Sequence, residues 1–287
     1  MTLAGLLLHC TPRLERANVP LLAGMRLDAG CSEAVFSENI KAFADAGLGE
    51  WLVAFVAYPE DEPAQAWAAF ETQLIDSLLP LLQQQNQTYS LSFELLAPIS
   101  PTLPLPAPDE WLSGMIPLLV KTQYFPPRRL VFMGAFVESA PAREALRASL
   151  AEIRAGSSPV FRGEIVYAAA PDLLDASFDW ETPDLIGIRH RAPPDLDYRA
   201  YFRKTHQRLS RLLLAHQKPA IIVESNLIGE DHLLLFRNQL RFWNDSVDLR
   251  GIALNTLYCR MALTDSYSHF ALAGQRELQR YLREYGK

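Results

Sequence analysis

Two glutamates pose the chemical question. Glu224 closes the apolar run of "KPAIIVESN", and Glu138 follows the run of "RLVFMGAFVESAP". A carboxylate at the tip of a buried strand costs free energy unless a partner or a reaction employs it. Two such groups held across one cleft can hydrolyse an acetal. One, as the acid, protonates the leaving oxygen, while the other attacks the carbon or activates water. Separations of roughly 5 to 5.5 Å suit the retaining course, and roughly 6.5 to 9.5 Å the inverting one. Each glutamate also has a structural reading. Glu224 can pair with a neighbouring arginine, and Glu138 with Ser139 can serve the caps and dipole of a helix starting in "ESAPAREAL".

A second tier of polar residues lies at the ends of apolar runs: Asp28, Glu94, Tyr167, Asp172, Arg189, His190, Asn226 and Tyr258. Any one of them reads as a structural hydrogen-bonding group. As a set they make a polar rim fit to bind a hydroxylated ligand. Trp180, in the loop before the sixth run, is the candidate platform for a sugar ring, and the other tryptophans fall on core faces. The six histidines show no HxxxH or HxH spacing, so no metal site is expected. No GxGxxG or GxxxxGK[ST] turn is present, and no cofactor is called for.

The elements that must position these groups come from periodicity. Eight short apolar runs, "LLAGMRL", "WLVAFVAY", "YSLSFELLA", "RLVFMGAFVE", "GEIVYAAA", "DLIGIRH", "PAIIVES" and "GIALNTLY", alternate with stretches of helical period. Among the latter are "PAQAWAAFETQLIDSLLPLLQQQ", "PAREALRASLAEIRAG" and "DYRAYFRKTHQRLSRLLLAHQ". This alternation predicts α/β architecture, a (β/α)8 TIM barrel, with a doubly wound sheet as the rival. One barrel domain spans residues 1–287. Residues 1–20 form an N-terminal extension whose run "LAGLLLHC" is a plug, a ninth strand or the true first strand. Connections entering the runs are short, while several leaving them, such as "PISPTLPLPAPDE", are long. In a barrel the leaving loops sit at the C-terminal face, where the active sites of this fold lie. Strands four and seven stand roughly across such a barrel, and Phe136 and Glu138 share a parity if strand four runs on through them.

Composition excludes several classes. A net charge of -6 opposes binding to nucleic acid or an anionic membrane. No apolar stretch reaches the roughly 20 residues needed to span a bilayer. Cys10, Cys31 and Cys259 are odd in number and lack CxxC spacing, which points to a reducing, cytoplasmic setting. "LAGLLL" has no positive cluster before it and no small-residue cleavage site after it, so no signal peptide is expected.

The order of motifs resembles the clan of retaining (β/α)8 glycoside hydrolases, and most of all the β-mannanase family numbered 113. The resemblance rests on "FRGEIVYAAAPD" at the fifth strand, "FDWETPDLIGIRH" at the sixth and "KPAIIVESN" at the seventh. It covers about half the chain, most closely from Phe161 to Asn226. It implies a retaining hydrolase of a β-linked oligosaccharide or glycoside, with Glu224 as nucleophile and an acid/base glutamate in a Gly-x-Glu at the end of the fourth strand. Here that alignment puts Phe136 after Gly134, and a shift of two residues reaches Glu138. The eighth strand, "GIALNTLYCR", lacks the family's tryptophan. These departures define the alternative, a non-catalytic carbohydrate-binding barrel that has lost its acid.

Overall fold

The structure, a computed structural model, describes residues 20–27, 37, 40–41, 44–45, 48–96, 107–174, 178–191, 198–226 and 249–258. At His190, Glu224, Asn226 and Tyr258 it describes the backbone position. Eight parallel strands close into a barrel in chain order. They are β1 (Leu21–Arg26), β2 (Glu50–Ala57), β3 (Thr88–Leu95), β4 (Arg129–Gly134), β5 (Glu164–Ala169), β6 (Leu185–Arg191), β7 (Ala220–Asn226) and β8 (Leu249–Tyr258). All eight predicted runs are found, and the architecture is the (β/α)8 barrel. The ring closes through β1, which pairs with both β2 and β8. The first strand is therefore "LLAGMRL", and "LAGLLLHC" lies outside the described residues.

Between the strands lie α1 (Pro63–Thr72), α2 (Leu79–Gln84), α3 (Pro108–Leu112), α4 (Met115–Lys121), α5 (Ala135–Glu138), α6 (Ala140–Arg154) and α7 (Tyr198–His216). A π-helical turn, Gln73–Leu78, joins α1 to α2 just before Pro80, whose ring a regular α-helical ladder cannot seat. Periodicity did not single out α3 and α4, because their short apolar stretches continue the Pro-rich connection before them. The helical run "DHLLLFRNQLRFWN" and the C-terminal "AGQRELQRYLREYGK" fall outside the described residues.

Strand alternation divides the core in two. Leu22, Leu52, Val131, Met133, Val166, Ala168, Leu185, Ile221, Val223 and Ala253 form a cluster drawn from strands alone, which fills the barrel interior. The opposite strand faces, including Trp51, Phe55, Phe93, Phe132 and Tyr167, pack with the helices, as where Phe55 stacks on Trp67 of α1 at 4.2 Å. At the N-terminal end the interior is sealed by charge. Glu50 accepts from Arg129 Nη1 at 2.5 Å, from Arg128 Nη1 at 3.1 Å and from the Ser90 hydroxyl at 2.7 Å. Arg129 Nε reaches Glu164 at 2.8 Å. Every charge in this plug has a partner, which is the condition under which buried charge is tolerated.

One predicted element ends early, and the reason is local. β4 stops at Gly134, whose φ of 64° and ψ of -142° turn the chain into the helical turn α5. A Cβ at Gly134 would meet the carbonyl oxygen of Leu95, so glycine is required both by the dihedral and by the space. Strand parity therefore does not carry through Phe136 to Glu138.

Candidate active site at the barrel mouth

The C-terminal ends of the strands bring together part of the expected rim. Glu94, next to last in β3, and Arg189 of β6 form an ion pair across the interior, and only 9% and 8% of their surfaces are exposed. The two strands are three apart in the ring, so this contact can be made only across the barrel interior. Each charge offsets the desolvation of the other, and the pair forms a fixed polar floor where the apolar interior ends.

Glu224 sits beside this floor in the ladder. Along β6 and β7, Ile188 partners Ile222, and the next pair is Arg189 with Glu224, so Val223 has no partner. This bulge resets the alternation. Simple counting from Ile221 and Val223, both interior residues, gives Glu224 the opposite parity, whereas the shifted register gives it the parity of Arg189. His190 then partners Ser225, and Arg191 partners Asn226. On the far side, β1 and β8 slip by one residue between Gly24 and Met25, after which Arg26 partners Tyr258. Both irregularities lie in the upper half of the barrel, where bulges commonly re-aim side chains at a site. Asp28 lies outside the described residues.

Glu138 ends α5 above β4, exposed to solvent. Its carbonyl accepts from Arg143 Nη1 at 3.2 Å, and the carbonyl of Val137 accepts from the same nitrogen at 2.6 Å. Its carboxylate has no ion-pair partner among the described residues. Ser139 precedes α6 without a side-chain cap bond. Phe136, at the position where the alignment expects an acid, is 1% exposed and meets Phe132 edge to face at 6.3 Å.

Two expected rim residues are elsewhere. Tyr167 lies on the helix-facing side of β5, buried against Phe132, and burial and then the nearby negative charge of Asp179 push its phenol pKa up. Trp180 is 0% exposed and packs on Phe178. It belongs to the connection entering β6, at the N-terminal end of the barrel, where Lys218 Nζ donates to the carbonyls of Trp180, Glu181 and Pro183 at 2.6 to 2.7 Å. A residue entering a strand cannot line the mouth, so Trp180 serves here as packing.

Asp172 is brought to a cavity of about 380 Å³ at the edge of the mouth. Its walls are the chain leaving β5 from Ala170 to Asp172, Arg189, and Tyr201, Lys204, Thr205 and Arg208 of α7. Arg208 Nη1 donates to the Pro171 carbonyl at 2.7 Å and fixes one wall. Burial and then Asp172 raise the pKa of the Tyr201 phenol, which therefore stays a neutral donor. Sequence reading did not single out these α7 residues, although their spacing of three, four and seven was a signal for one helix face.

No model of a known protein family matches the chain, and no curated protein matches it in sequence. No helix among the described residues is long and apolar enough to cross a membrane. The fold does have relatives of known structure. A family 113 β-mannanase, AaManA from Alicyclobacillus acidocaldarius, superposes with a TM-score of 0.59 at 14% identity, covering 94% of this chain and 99% of that one. A second family 113 β-1,4-mannanase gives 0.58 at 14% identity over 92% and 98% of the two chains. A family 5 glycoside hydrolase from Streptomyces cattleya, solved with Manβ1-4GlcNAc, gives 0.57 at 11% identity over 93% and 81%. The chain is similar to these glycoside hydrolases in its fold.

Proposed function

We propose that this barrel acts on a β-linked oligosaccharide or glycoside by a retaining mechanism, as a cytoplasmic single-domain protein without a metal or cofactor. The observation that carries the reading is the β6–β7 register, which sets Glu224 beside Arg189 at the mouth of a barrel with a glycoside hydrolase fold. In the first step the Glu224 carboxylate bonds to the anomeric carbon as the bond to the leaving oxygen breaks, and Glu138 gives that oxygen its proton. In the second, Glu138 takes a proton from water, whose oxygen displaces Glu224 and regenerates both groups. Asn226, His190, Tyr258, Asp28, Glu94 and Asp172 are the proposed partners for sugar hydroxyls.

Glu224→Gln tests this directly. Turnover of an activated aryl β-glycoside should fall by about a thousandfold or more, as for loss of a covalent nucleophile, with the thermal unfolding midpoint unchanged. Undiminished turnover would remove the assignment.

One observation favours a second reading. Phe136, which the motif alignment puts where the acid is expected, is packed into the core. A barrel without that acid binds saccharide but does not cleave it. Oligosaccharide titration beside a hydrolysis assay separates the two readings, since binding with no turnover selects the second and no binding rejects both.

A further inference from the structure

The cavity between the end of β5 and α7 has a composition that the core role of a helix face does not explain. Positions 201, 204, 205 and 208 share one face of α7: Thr205 is on its buried stripe, which is ordinarily apolar, Tyr201 and Arg208 are half-buried beside it, and Lys204 is at its exposed edge. Here they are a phenol, an ammonium, a hydroxyl and a guanidinium, and all four line the same space. At about 380 Å³ the cavity has the size of a small-molecule site. Arg189 in its wall is neutralised by Glu94. The remaining charges are Lys204 and Arg208 against Asp172, a local excess of one positive charge in a chain of net charge -6. Among the described residues neither Lys204 nor Arg208 has a carboxylate partner. Arg208 is aimed by its bond to the Pro171 carbonyl, which leaves the rest of its donor fork for a planar or tetrahedral oxyanion.

We infer that this cavity is an anion subsite beside the barrel mouth, in which Lys204 and Arg208 hold the carboxylate or phosphate of an acidic saccharide while Asp172 and Tyr201 meet its hydroxyls. Charge-assisted bonds from a guanidinium and an ammonium suit either oxyanion. Asp172, exposed at the rim, disfavours an unshielded second anion and selects for ligands that also offer hydroxyl donors. Arg189 joins this cavity to the register position of Glu224, so a sugar seated here lies next to the proposed nucleophile. The saccharide part rests on the reading of the mouth as a glycoside-acting site, whereas the anion part does not.

Calorimetric titration of the full chain at low salt with methyl β-glucuronide, glucose 6-phosphate, methyl β-glucoside and inorganic phosphate tests the inference. At least one of the two acidic sugars should bind about tenfold or more tightly than the neutral glucoside, and which one does so identifies the oxyanion. Lys204 is exposed and its side chain makes no hydrogen bond or ion pair among the described residues, so Lys204→Glu should keep its unfolding midpoint and lose the preference. Arg208→Lys should retain part of it. Equal binding of neutral and acidic sugars, survival of the preference in Lys204→Glu, or absence of binding would each overturn the proposal. Binding of inorganic phosphate alone, without either acidic sugar, would overturn the saccharide assignment. Failure of the hydrolase reading looks different: the acidic preference persists while no aryl glycoside, neutral or acidic, is cleaved.

Discussion

Arg189 at the end of β6 and Glu94 at the end of β3 meet across the barrel interior, two opposite charges almost withdrawn from water. Removing either takes this opposite charge from the other. Glu94→Gln or Arg189→Met alone should cost about 3 to 5 kcal/mol of unfolding free energy, while the double replacement should cost much less than the sum. Urea denaturation of the four proteins in the cycle measures this coupling, and additive losses would show that the pair contributes nothing jointly.

The charged plug at the opposite end offers a control. Glu50 anchors Arg128, Arg129 and Ser90, and Glu50→Gln leaves the buried Arg129 with Glu164 alone. Stability should fall by about 3 kcal/mol, with saccharide affinity unchanged because the plug lies at the far end of the strands. Denaturation and titration on the same preparation check both halves of the expectation.

These relationships show how far the sequence could be read. The eight strands were legible because each is an apolar run bounded by turn chemistry, and parallel pairing makes all eight look alike. Faces at strand ends were not. The alternation along β4 breaks where Gly134 takes a positive φ, and along β7 where Val223 drops out of the ladder. The second depends on the neighbouring strand and leaves no mark in the local pattern, whereas the first was marked by a glycine that the apolar residues on either side of it made easy to read through. Trp180 is different, because its place at the N-terminal end follows from entering β6 and was within reach of the sequence. The face of α7 at 201, 204, 205 and 208 was also within reach, but long polar side chains on a helix usually mark its solvent side.

Asp179 should give the protein a specific acid sensitivity. Burial tends to raise its pKa, but hydrogen bonds from Arg147 and Thr182 outweigh that and hold it below its ordinary value of 3.8. A carboxylate depressed in the folded state adds stability above its unfolded pKa and loses it as pH falls through the folded one. Asp179→Asn should therefore melt at a lower temperature than the parent from about pH 5 upward, and the gap should close below about pH 4. A gap that widens in acid would reverse the sign and refute the assignment.

The acid/base role of Glu138 predicts a dependence on the leaving group. Glu138→Gln should slow hydrolysis of glycosides with poor leaving groups by about a hundredfold or more, with far less effect on activated aryl glycosides, because only the former need protonation. Rates across a series of phenols of graded pKa measure this. Equal losses throughout would exclude Glu138 as the acid and leave Phe136 as evidence for a binding barrel.

The covalent step at Glu224 is the central claim, and trapping it is the most direct measurement. A 2-deoxy-2-fluoro-β-glycoside with a good leaving group slows both steps, and the second more, so a retaining enzyme accumulates as its glycosyl ester. Mass spectrometry of the intact protein should show one added fluoroglycosyl group, and peptide mapping should place it on Glu224. An adduct on any other residue, or turnover of the parent glycoside with inversion and no adduct, would contradict the account.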